Sequence, residues 1–347
     1  MQLSICIPTF NRIDHLENCI NSILISANNV KDFDFEVCIS DNFSSDDVEI
    51  VINKYKNLLN IKFQKNPKNL GFALNAIKTI SMAQGDYAWL IGNDDLLLPE
   101  TLKKIKELFI SNQDVEYFFI NSYFLNSKVL ENFEKPLDTR KLNLNNLKTI
   151  SLITNDKKGL FWDVIDPKVS WDFLIGIYLS IFKKDKWLQN INILNEADLN
   201  DVRPWSTFDN TCIHPKILAK TFNNSKSYIS SNPLSINLIG EREWFDLYEF
   251  IEIVRIPEIL DFYRTQGMPI KKYLYCKNFS LRNFSNYFAK IIIGGKKRGL
   301  HYVDFKKHFF KNLFYPNVYM SFFYFLTRSI NKLYKILRRH VLEATSN

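Results

Sequence analysis

A chain of 347 residues in which 46% are hydrophobic is long enough to bury a full core, and this composition argues against an intrinsically disordered protein. The five cysteines are an odd number without a C-x-x-C spacing, so neither a disulfide framework nor a zinc site is indicated and a reducing compartment is favoured. The formal net charge of +8 is unevenly distributed, because the segment 271–340 holds sixteen lysines and arginines but a single acid, Asp304.

Short apolar runs alternate with helix-like stretches over the first 120 residues. The strands that we predict are Leu3–Pro8, Phe35–Ser40, Ile61–Gln64, Tyr87–Ile91 and Glu116–Asn121. The predicted helices are Asp14–Ser26, Asp46–Lys56, Asn69–Ala83 and Pro99–Ile110. Because alternating strands and helices form βαβ units, the pattern predicts an α/β protein with a Rossmann-like, mostly parallel sheet and flanking helices.

The segment 87–99 reads YAWLIGNDDLLLP, so an apolar run ends in Asn93, Asp94 and Asp95. Carboxylates are rarely buried unless they are paired or bind a cation. A Mg²⁺ or Mn²⁺ ion, held by one or two carboxylates and by diphosphate oxygens, would satisfy this requirement. In the alternative interpretation, Asp94 or Asp95 caps a helix that begins near Pro99. The segment taken alone does not separate the two interpretations.

Polar segments also follow the first two predicted strands. Residues 8–12 (PTFNR) end the first strand and residues 41–46 (DNFSSD) end the second. Ligands of parallel sheets bind beyond the carboxyl ends of the strands, so we expect these segments and residues 93–95 to share one rim. The turn at 66–75 opens into a helix, and its backbone amides or Lys68 could face a phosphate. Each segment alone is also explained as a turn, a helix cap or a strand exit.

The chain is less regular beyond residue 121. Residues 122–170 are polar and predict loops with short elements, and residues 173–184 have a strand-like or buried pattern. The further elements that we predict are a helix at Trp205–Lys220 interrupted by Pro215, a strand pair within Ser225–Ile239 and a long helix at Glu243–Tyr263 broken at Pro257.

Five motifs in the first 120 residues, in this order, resemble those of the family 2 glycosyltransferases, which have the GT-A fold. They are PTFNR at 8–12, SDNFSSD at 40–46, NLGFALN at 69–75, GDYAWL at 85–90 and NDD at 93–95. The stretch IYLSIFKKDKW at 177–187 is loosely similar to the abequosyltransferase-type O-antigen sugar transferases. The resemblance implies a GT-A catalytic domain over 1–240, with a nucleotide-sugar half at 1–120 and an acceptor half at 121–240.

The resemblance also implies roles for residues of the shared rim. The donor-binding residues that it implies are Pro8, Thr9, Asn11, Arg12, Asp41, Asn69, Asn93 and Asp94. Asp41 would accept a hydrogen bond from the nucleobase, and Asp94 would reach the ribose or the donor sugar. Asp95 would ligate a Mg²⁺ or Mn²⁺ ion that bridges the diphosphate. Asn93 departs from the family pattern, in which an acid occupies this position, and its amide removes one negative charge.

An inverting transfer, which the family suggests, needs an Asp, Glu or His close to the acceptor hydroxyl group. In the family this base usually lies in an E-D pair beyond the acidic triplet, and no clean E-D pair occurs in this chain. Asp209 is the first candidate because of its distance from the triplet, and His214 is the second. The remaining candidates are Glu196, Asp198 and Asp201. Alternatively, Asp209 caps a helix that starts after Thr207, and His214 is a buried, hydrogen-bonded ring.

The C-terminal region 241–347 is predicted to be helical, and it alternates bases with aromatic and aliphatic residues, as in FKKHFFKNLFYP at 305–316 and INKLYKILRRHV at 330–341. Helices of this composition lie in the interface of an anionic membrane. The alternative is a helical annex that packs its aromatic side chains on the catalytic domain. No nucleic-acid-binding motif is present. We also find no signal peptide and no apolar run of the roughly 20 residues that span a bilayer.

These features favour a glycosyltransferase that acts on a lipid-linked intermediate of a bacterial O-antigen or capsule-type polysaccharide. We expect it to be a peripheral protein on the cytoplasmic face of the inner membrane. A sugar nucleotidyltransferase shares the βαβ start, but its glycine-rich loop after the first strand is absent. The non-enzymatic alternative is an inactive nucleotide- or membrane-binding scaffold of a glycan assembly complex.

Overall fold

The computed structural model describes residues 1–171, 174–240, 245–328 and 330. The chain divides into two compact units. The first comprises Met1–Arg242 with Gln266–Met268, and the second comprises Glu243–Thr265 with Pro269–Asn347.

A nine-stranded sheet forms the centre of the first unit. Its strands are β1 (Leu3–Thr9), β2 (Phe35–Asp41), β3 (Ile61–Lys65), β4 (Tyr87–Leu90), β5 (Leu96–Leu97), β6 (Tyr117–Asn126), β7 (Lys157–Leu160), β8 (Ser180–Lys183) and β9 (Lys226–Ile239). Their spatial order is β3-β2-β1-β4-β8-β6-β9-β5, and β7 pairs with β9. The five strands predicted within the first 120 residues are all present, which confirms the α/β interpretation.

The strands β1 to β4 pair in parallel, whereas β8 joins β4 and β6 in antiparallel fashion. In the register of β1 and β2, Thr9 lies opposite Asp41, so the carboxyl ends of the two strands stop side by side. The carboxyl end of β4 lies on the other side of β1. The parallel half of the sheet therefore presents the loops after β1, β2 and β4 at one rim.

Helices connect the strands and cover the sheet. Those of the first unit are α1 (Ile13–Ala27), α2 (Val48–Tyr55), α3 (Gly71–Ser81), α4 (Thr101–Ser111), α5 (Phe161–Val164), α6 (Lys184–Leu188), α7 (Glu196–Leu199) and α8 (His214–Phe222). All seven residues of β1 are buried, and α1 buries an apolar face that includes Leu16, Ile20 and Ile23. Continuous burial of β1 is typical of a central strand covered on both faces.

Two predictions for this unit are wrong, and one alternative interpretation is excluded. The predicted helix at Trp205–Lys220 begins only at His214, because Pro215 lies in the first turn of α8, where a missing N–H group costs nothing. The predicted strand pair within Ser225–Ile239 is one 14-residue strand, β9, whose register with β6 shifts at a bulge. The segment after Asp95 is strand β5 rather than a helix start, so neither carboxylate caps α4, which begins at Thr101.

The described part of the second unit is helical, which confirms the predicted C-terminal helices. Its helices are α9 (Tyr248–Phe250), α10 (Ile256–Thr265), α11 (Ile270–Ser280), α12 (Phe284–Gly294) and α13 (Phe305–His308), and residues 316–328 are also helical. The predicted break at Pro257 is wrong, because a π-helical segment at Ile251–Arg255 leads directly into α10. Within the described ranges, no helix is long and apolar enough to cross a membrane. Apart from residue 330, the basic segment 330–341 lies outside the described residues.

Candidate functional site

Hydrogen bonds join the loops that follow β1, β2 and β4. The Asn93 side-chain amide donates to Thr9 Oγ1 at 2.9 Å, and Arg12 Nη1 lies 3.3 Å from Asp94 Oδ2. The backbone amide of Asn11 donates to Ser44 Oγ at 2.8 Å. The structure therefore brings together the predicted residues of all three loops.

Asp41 ends β2 and is fully buried at this rim. Its Oδ1 accepts hydrogen bonds from the backbone amide of Ser44 at 3.0 Å and from Ser44 Oγ at 2.5 Å. Its Oδ2 has no hydrogen-bond partner in the part of the chain that the structure describes, and Lys65 Nζ lies 4.0 Å away. A buried carboxylate oxygen without a hydrogen-bond donor is costly, so this atom is suited to receive one from a ligand.

Two of the predicted donor-binding amides stabilise the loops themselves. Asn11 has a positive φ of 50°, and its Oδ1 accepts hydrogen bonds from the backbone amide and the hydroxyl group of Ser45. Asn69 Oδ1 accepts hydrogen bonds from Asn42 Nδ2 and from the backbone amide of Gly71, at 2.9 and 2.8 Å. These side chains determine where the loops lie, a role that residue type alone did not distinguish from ligand binding.

Asp94 and Asp95 differ in burial and in their hydrogen-bond and ion-pair partners. Asp95 is 1% exposed, and its Oδ2 and Oδ1 accept hydrogen bonds from the backbone amide of Gly92 at 2.7 Å and from Asn237 Nδ2 at 2.9 Å. The side chain of Asp94 is 21% exposed and forms the ion pair with Arg12. Sequence reasoning missed Asn237, which lies 142 residues beyond Asp95, because no sequence signal joins β9 to this turn.

The carboxylate oxygens at this turn are suitable ligands for a hard divalent ion. Mg²⁺ usually takes one or two protein carboxylates and completes its shell with substrate phosphates and water. Among the described residues there is no group of three His, Cys, Asp or Glu side chains that could hold a metal alone. The fit rests on the Asp95 carboxylate, which Asn237 Nδ2 orients through a hydrogen bond.

The two candidate bases lie in a different segment from the rim loops. Asp209 is 1% exposed, its Oδ1 lies 2.5 Å from Lys216 Nζ, and its Oδ2 accepts a hydrogen bond from the backbone amide of Asn195 at 3.0 Å. It does not cap a helix, because α8 begins only at His214. The chain around Val202, which precedes Asp209, approaches the turn before α3. A Cβ atom at Gly71 in that turn would lie 3.5 Å from Val202 Cγ1.

His214 is 2% exposed, and its Nδ1 lies 3.7 Å from Cys212 Sγ. Burial disfavours the charged ring and lowers the pKa of His214 to about 3. A group with this pKa is a weak proton acceptor near neutral pH. The structure therefore favours the buried-ring interpretation over the base interpretation for His214.

The burial of His214 predicts a loss of stability in acid. The unfolded chain binds a proton at this residue near pH 6.5 and the folded chain only near pH 3, so stability falls as the pH falls through this window. Between pH 7 and pH 4.5, the free energy of unfolding of His214→Leu should therefore fall by about 2–3 kcal/mol less than that of the native chain. Urea titrations at the two pH values would measure this. His301→Leu, a change at an exposed ring, is the control, and equal acid sensitivity of His214→Leu and the native chain would contradict the prediction.

Comparisons with known proteins agree with this architecture. Residues 4–163 match the family model described as glycosyl transferase family 2. Abequosyltransferase RfbV of Salmonella typhimurium is 33% identical over 198 residues, which cover 54% of each chain. Poly(ribitol-phosphate) beta-N-acetylglucosaminyltransferase TarP of Staphylococcus aureus is 34% identical over 107 residues, which cover 30% of this chain and 32% of TarP. The chain thus spans about half or less of the length of these relatives.

Solved structures show the same fold. S. aureus TarS 1–349 in complex with UDP-GlcNAc superposes with a TM-score of 0.52 and 16% identity, covering 86% of this chain and 75% of that chain. The complex of the same fragment with UDP gives a TM-score of 0.51 and 17% identity, covering 82% and 72%. The mixed sheet with its flanking helices is therefore the GT-A architecture that the sequence motifs predicted.

Proposed function

We propose that the protein transfers a sugar from a nucleoside diphosphate sugar to a hydroxyl group of a glycan, from the premise that residues 4–163 match glycosyl transferase family 2 and that the fold is GT-A. The observation that supports this most is the shared rim, where the buried Asp41 and the Asp94–Asp95 pair follow parallel strands. A carboxylate that can accept a hydrogen bond from the nucleobase and a carboxylate that can hold a metal ion beside the diphosphate would suit the two ends of such a donor.

On the donor side, Asp41 accepts a hydrogen bond from the nucleobase through Oδ2, the oxygen for which the described residues supply no hydrogen bond. Arg12 pairs with Asp94 in the free protein, and its guanidinium group would stabilise the diphosphate when the donor arrives. Asp94 would then be available to the ribose or the donor sugar. Pro8 and Thr9 end β1 at this rim, where Thr9 Oγ1 accepts a hydrogen bond from the Asn93 amide and orients it.

Departure of the nucleoside diphosphate requires stabilisation of its developing negative charge. Asp95 would hold a Mg²⁺ or Mn²⁺ ion, which supplies electrostatic stabilisation of that charge when bound. Gly92 and Asn237 hold the Asp95 carboxylate in one orientation through their N–H groups. Preorganised carboxylates avoid the cost of rearranging during the reaction.

The acceptor hydroxyl group must lose its proton as its oxygen attacks the anomeric carbon. We assign this general-base role to Asp209, in an inverting displacement in which the nucleoside diphosphate leaves from the opposite face of the sugar. The ammonium group of Lys216 lies 2.5 Å from Asp209 Oδ1 and holds this carboxylate in place. Because Asp209 is buried in the free protein, the segment around it would have to move when the acceptor binds.

Substitution of Gly92 tests the acidic turn. A Cβ atom at this residue would lie 2.5 Å from Asp94 Oδ1 and 3.2 Å from Asp95 Oδ2. Gly92→Ala should therefore displace both carboxylates and lower the transfer rate at least roughly tenfold, while the free energy of unfolding changes by about 1 kcal/mol or less. In the matched control, Gly294→Ala, the new Cβ meets only the flexible side chain of Arg298. Equal transfer rates for the two variants would exclude a role for this turn.

Calorimetric titration with UDP, GDP, CDP and dTDP, each with and without Mn²⁺, tests donor binding. UDP is a natural first probe, because TarS was solved with UDP and with UDP-GlcNAc. We expect one nucleotide to bind, and Asp41→Asn to weaken that binding at least roughly tenfold through the lost charged hydrogen bond. Binding without turnover of any donor on lipid-linked acceptors would favour the scaffold alternative, and no binding would refute the proposed function.

For the acceptor we propose a lipid-linked saccharide of a bacterial O-antigen or capsule-type polysaccharide, an assignment supported by the likeness to RfbV. A peripheral position on an anionic membrane would bring the protein to such an acceptor. In the second unit, the helical segment 316–328 buries little beyond Val318 and Ser321, and most of its large apolar side chains are exposed. The exposed ones are Tyr319, Met320, Phe322, Phe323, Tyr324 and Leu326. Exposed apolar surface of this extent, within the basic stretch 271–340 of the sequence, is typical of interfacial helices.

Flotation with liposomes tests the membrane proposal. The native chain should float with vesicles that contain anionic lipid, and the double variant Phe322→Ser, Phe323→Ser should lose most of this binding, because two half-exposed rings are removed. Leu152→Ser, a change at a residue that is 82% exposed in the first unit, is the matched control. Equal flotation of the double variant and the control would exclude this helix as the membrane contact.

A further inference from the structure

Phe43 occupies a backbone conformation that its residue type disfavours. It has a φ of 69°, in the left-handed region, where a bulky side chain is strained. Within the described residues, the other non-glycine positions with positive φ are Asn11, Asp32 and Trp205. Asn and Asp tolerate this region, and Trp205 gains the burial of its ring, which is 2% exposed. Phe43 is not a residue type that tolerates this region, and it gains no burial of its ring, because it is 52% exposed.

Hydrogen bonds fix the residues on both sides of Phe43. Asn42 Nδ2 donates to Asn69 Oδ1 at 2.9 Å, and Asn42 Oδ1 accepts from the backbone amide of Leu70 at 2.8 Å. On the other side, Ser44 binds Asp41 Oδ1 through both its backbone amide and its hydroxyl group. The turn is thus held in place, and it presents an aromatic ring to solvent at the rim. Strain of this kind persists where the surrounding structure enforces it, which is common at binding sites.

Asp41, two residues before Phe43, indicates what kind of ligand the ring would bind. Phe43 follows Asp41 by two residues, and Asp41 Oδ2 is buried without a hydrogen-bond partner among the described residues. A planar heterocycle with an N–H group on its edge would satisfy both residues, because its edge would donate to the carboxylate and its face would stack on the ring. A saccharide hydroxyl could satisfy the carboxylate, but it offers no flat aromatic face.

We propose that Phe43 is a stacking platform for the nucleobase of the donor nucleotide, and thus a specificity-determining residue. This inference rests on the proposed function. Stacking of the nucleobase on this aromatic face would add binding free energy to that supplied by contacts with the ribose and the phosphates. The hydrogen bonds of Asn42 and Ser44 maintain the strained backbone of Phe43, two residues from Asp41.

The test is calorimetric titration of the full chain with whichever of UDP, GDP, CDP and dTDP the native protein binds best. Phe43→Asn removes the ring and suits the left-handed backbone, so it should weaken nucleotide binding roughly five- to fiftyfold. Its thermal midpoint should stay equal to that of the native chain or rise. Phe43→Leu, which keeps apolar bulk without an aromatic face, should weaken binding to a similar extent. Phe43→Tyr should bind as the native chain does.

Asp32→Gly is the matched control, because it also relieves a positive φ, of 52°, but lies before β2, at the end of that strand opposite to Asp41. It should leave nucleotide affinity unchanged. Nucleotide affinity within twofold of native for both Phe43→Asn and Phe43→Leu would overturn the inference. If Asp41→Asn still weakens binding in that case, the proposed function stands without the Phe43 platform. If Asp41→Asn binds as the native chain does, the proposed nucleotide site itself is wrong.

Discussion

Asp95→Asn is expected to lower the rate of sugar transfer by roughly 10²–10³-fold at saturating donor, because it removes one charge from the group proposed to hold the metal and the diphosphate. The chain should remain folded. The amide oxygen of Asn can still accept one of the two hydrogen bonds that Asp95 receives from Gly92 and Asn237. Asp95→Ala would leave the buried N–H groups of Gly92 and Asn237 unpaired, at a cost of about 1–3 kcal/mol each. A loss of activity in that variant could then reflect either lost stability or lost catalysis.

The measurement is initial rates with the donor identified by the nucleotide titrations, together with the thermal midpoint of each variant. Asp14→Asn is the control, since it makes the same chemical change at an exposed residue paired with Lys135. We expect the control to retain native rates. Rates of Asp95→Asn within threefold of native would remove Asp95 from the proposed metal and diphosphate site.

Asp209→Asn is expected to lower kcat by roughly 10²–10⁴-fold without weakening nucleotide binding, because an amide cannot take the proton of the acceptor hydroxyl group. The change also breaks the ion pair with Lys216, whose side chain is 23% exposed and retains access to water. The stability cost should therefore stay below the approximately 3–5 kcal/mol of a fully buried pair that loses one partner.

Two further variants separate catalysis from structure. Lys216→Met removes the ion pair and leaves the carboxylate, so a purely structural role predicts that it impairs transfer as much as Asp209→Asn does. Asp201→Asn changes an acid whose bidentate contact with Arg203 holds its pKa well below the usual range. Loss of kcat in Asp201→Asn, with native kcat in Asp209→Asn, would transfer the base assignment to Asp201.

The sequence predicted most of the first 120 residues, because each strand and helix there has a local signature. The apolar run at Leu3–Thr9 and the helical spacing of Leu16, Ile20 and Ile23 depend only on neighbours along the chain. Beyond residue 200 the local signals were ambiguous. The sequence predicts an interruption at Pro215, which instead lies in the first turn of α8. It also predicts a strand pair where the structure has one bulged strand, β9.

The sequence by itself determined the α/β architecture and the rim segments, since strand and helix periodicity and the rule for parallel sheets are local and topological. Only the tertiary structure decided how the acids are distributed among partners. Asn237 meets Asp95 across 142 residues, Lys216 pairs with a buried Asp209, and Asp41 keeps one oxygen without a hydrogen bond from the described residues. Burial and pairing depend on which segments approach in three dimensions, and they determine which carboxylate meets a ligand and which one stabilises the fold.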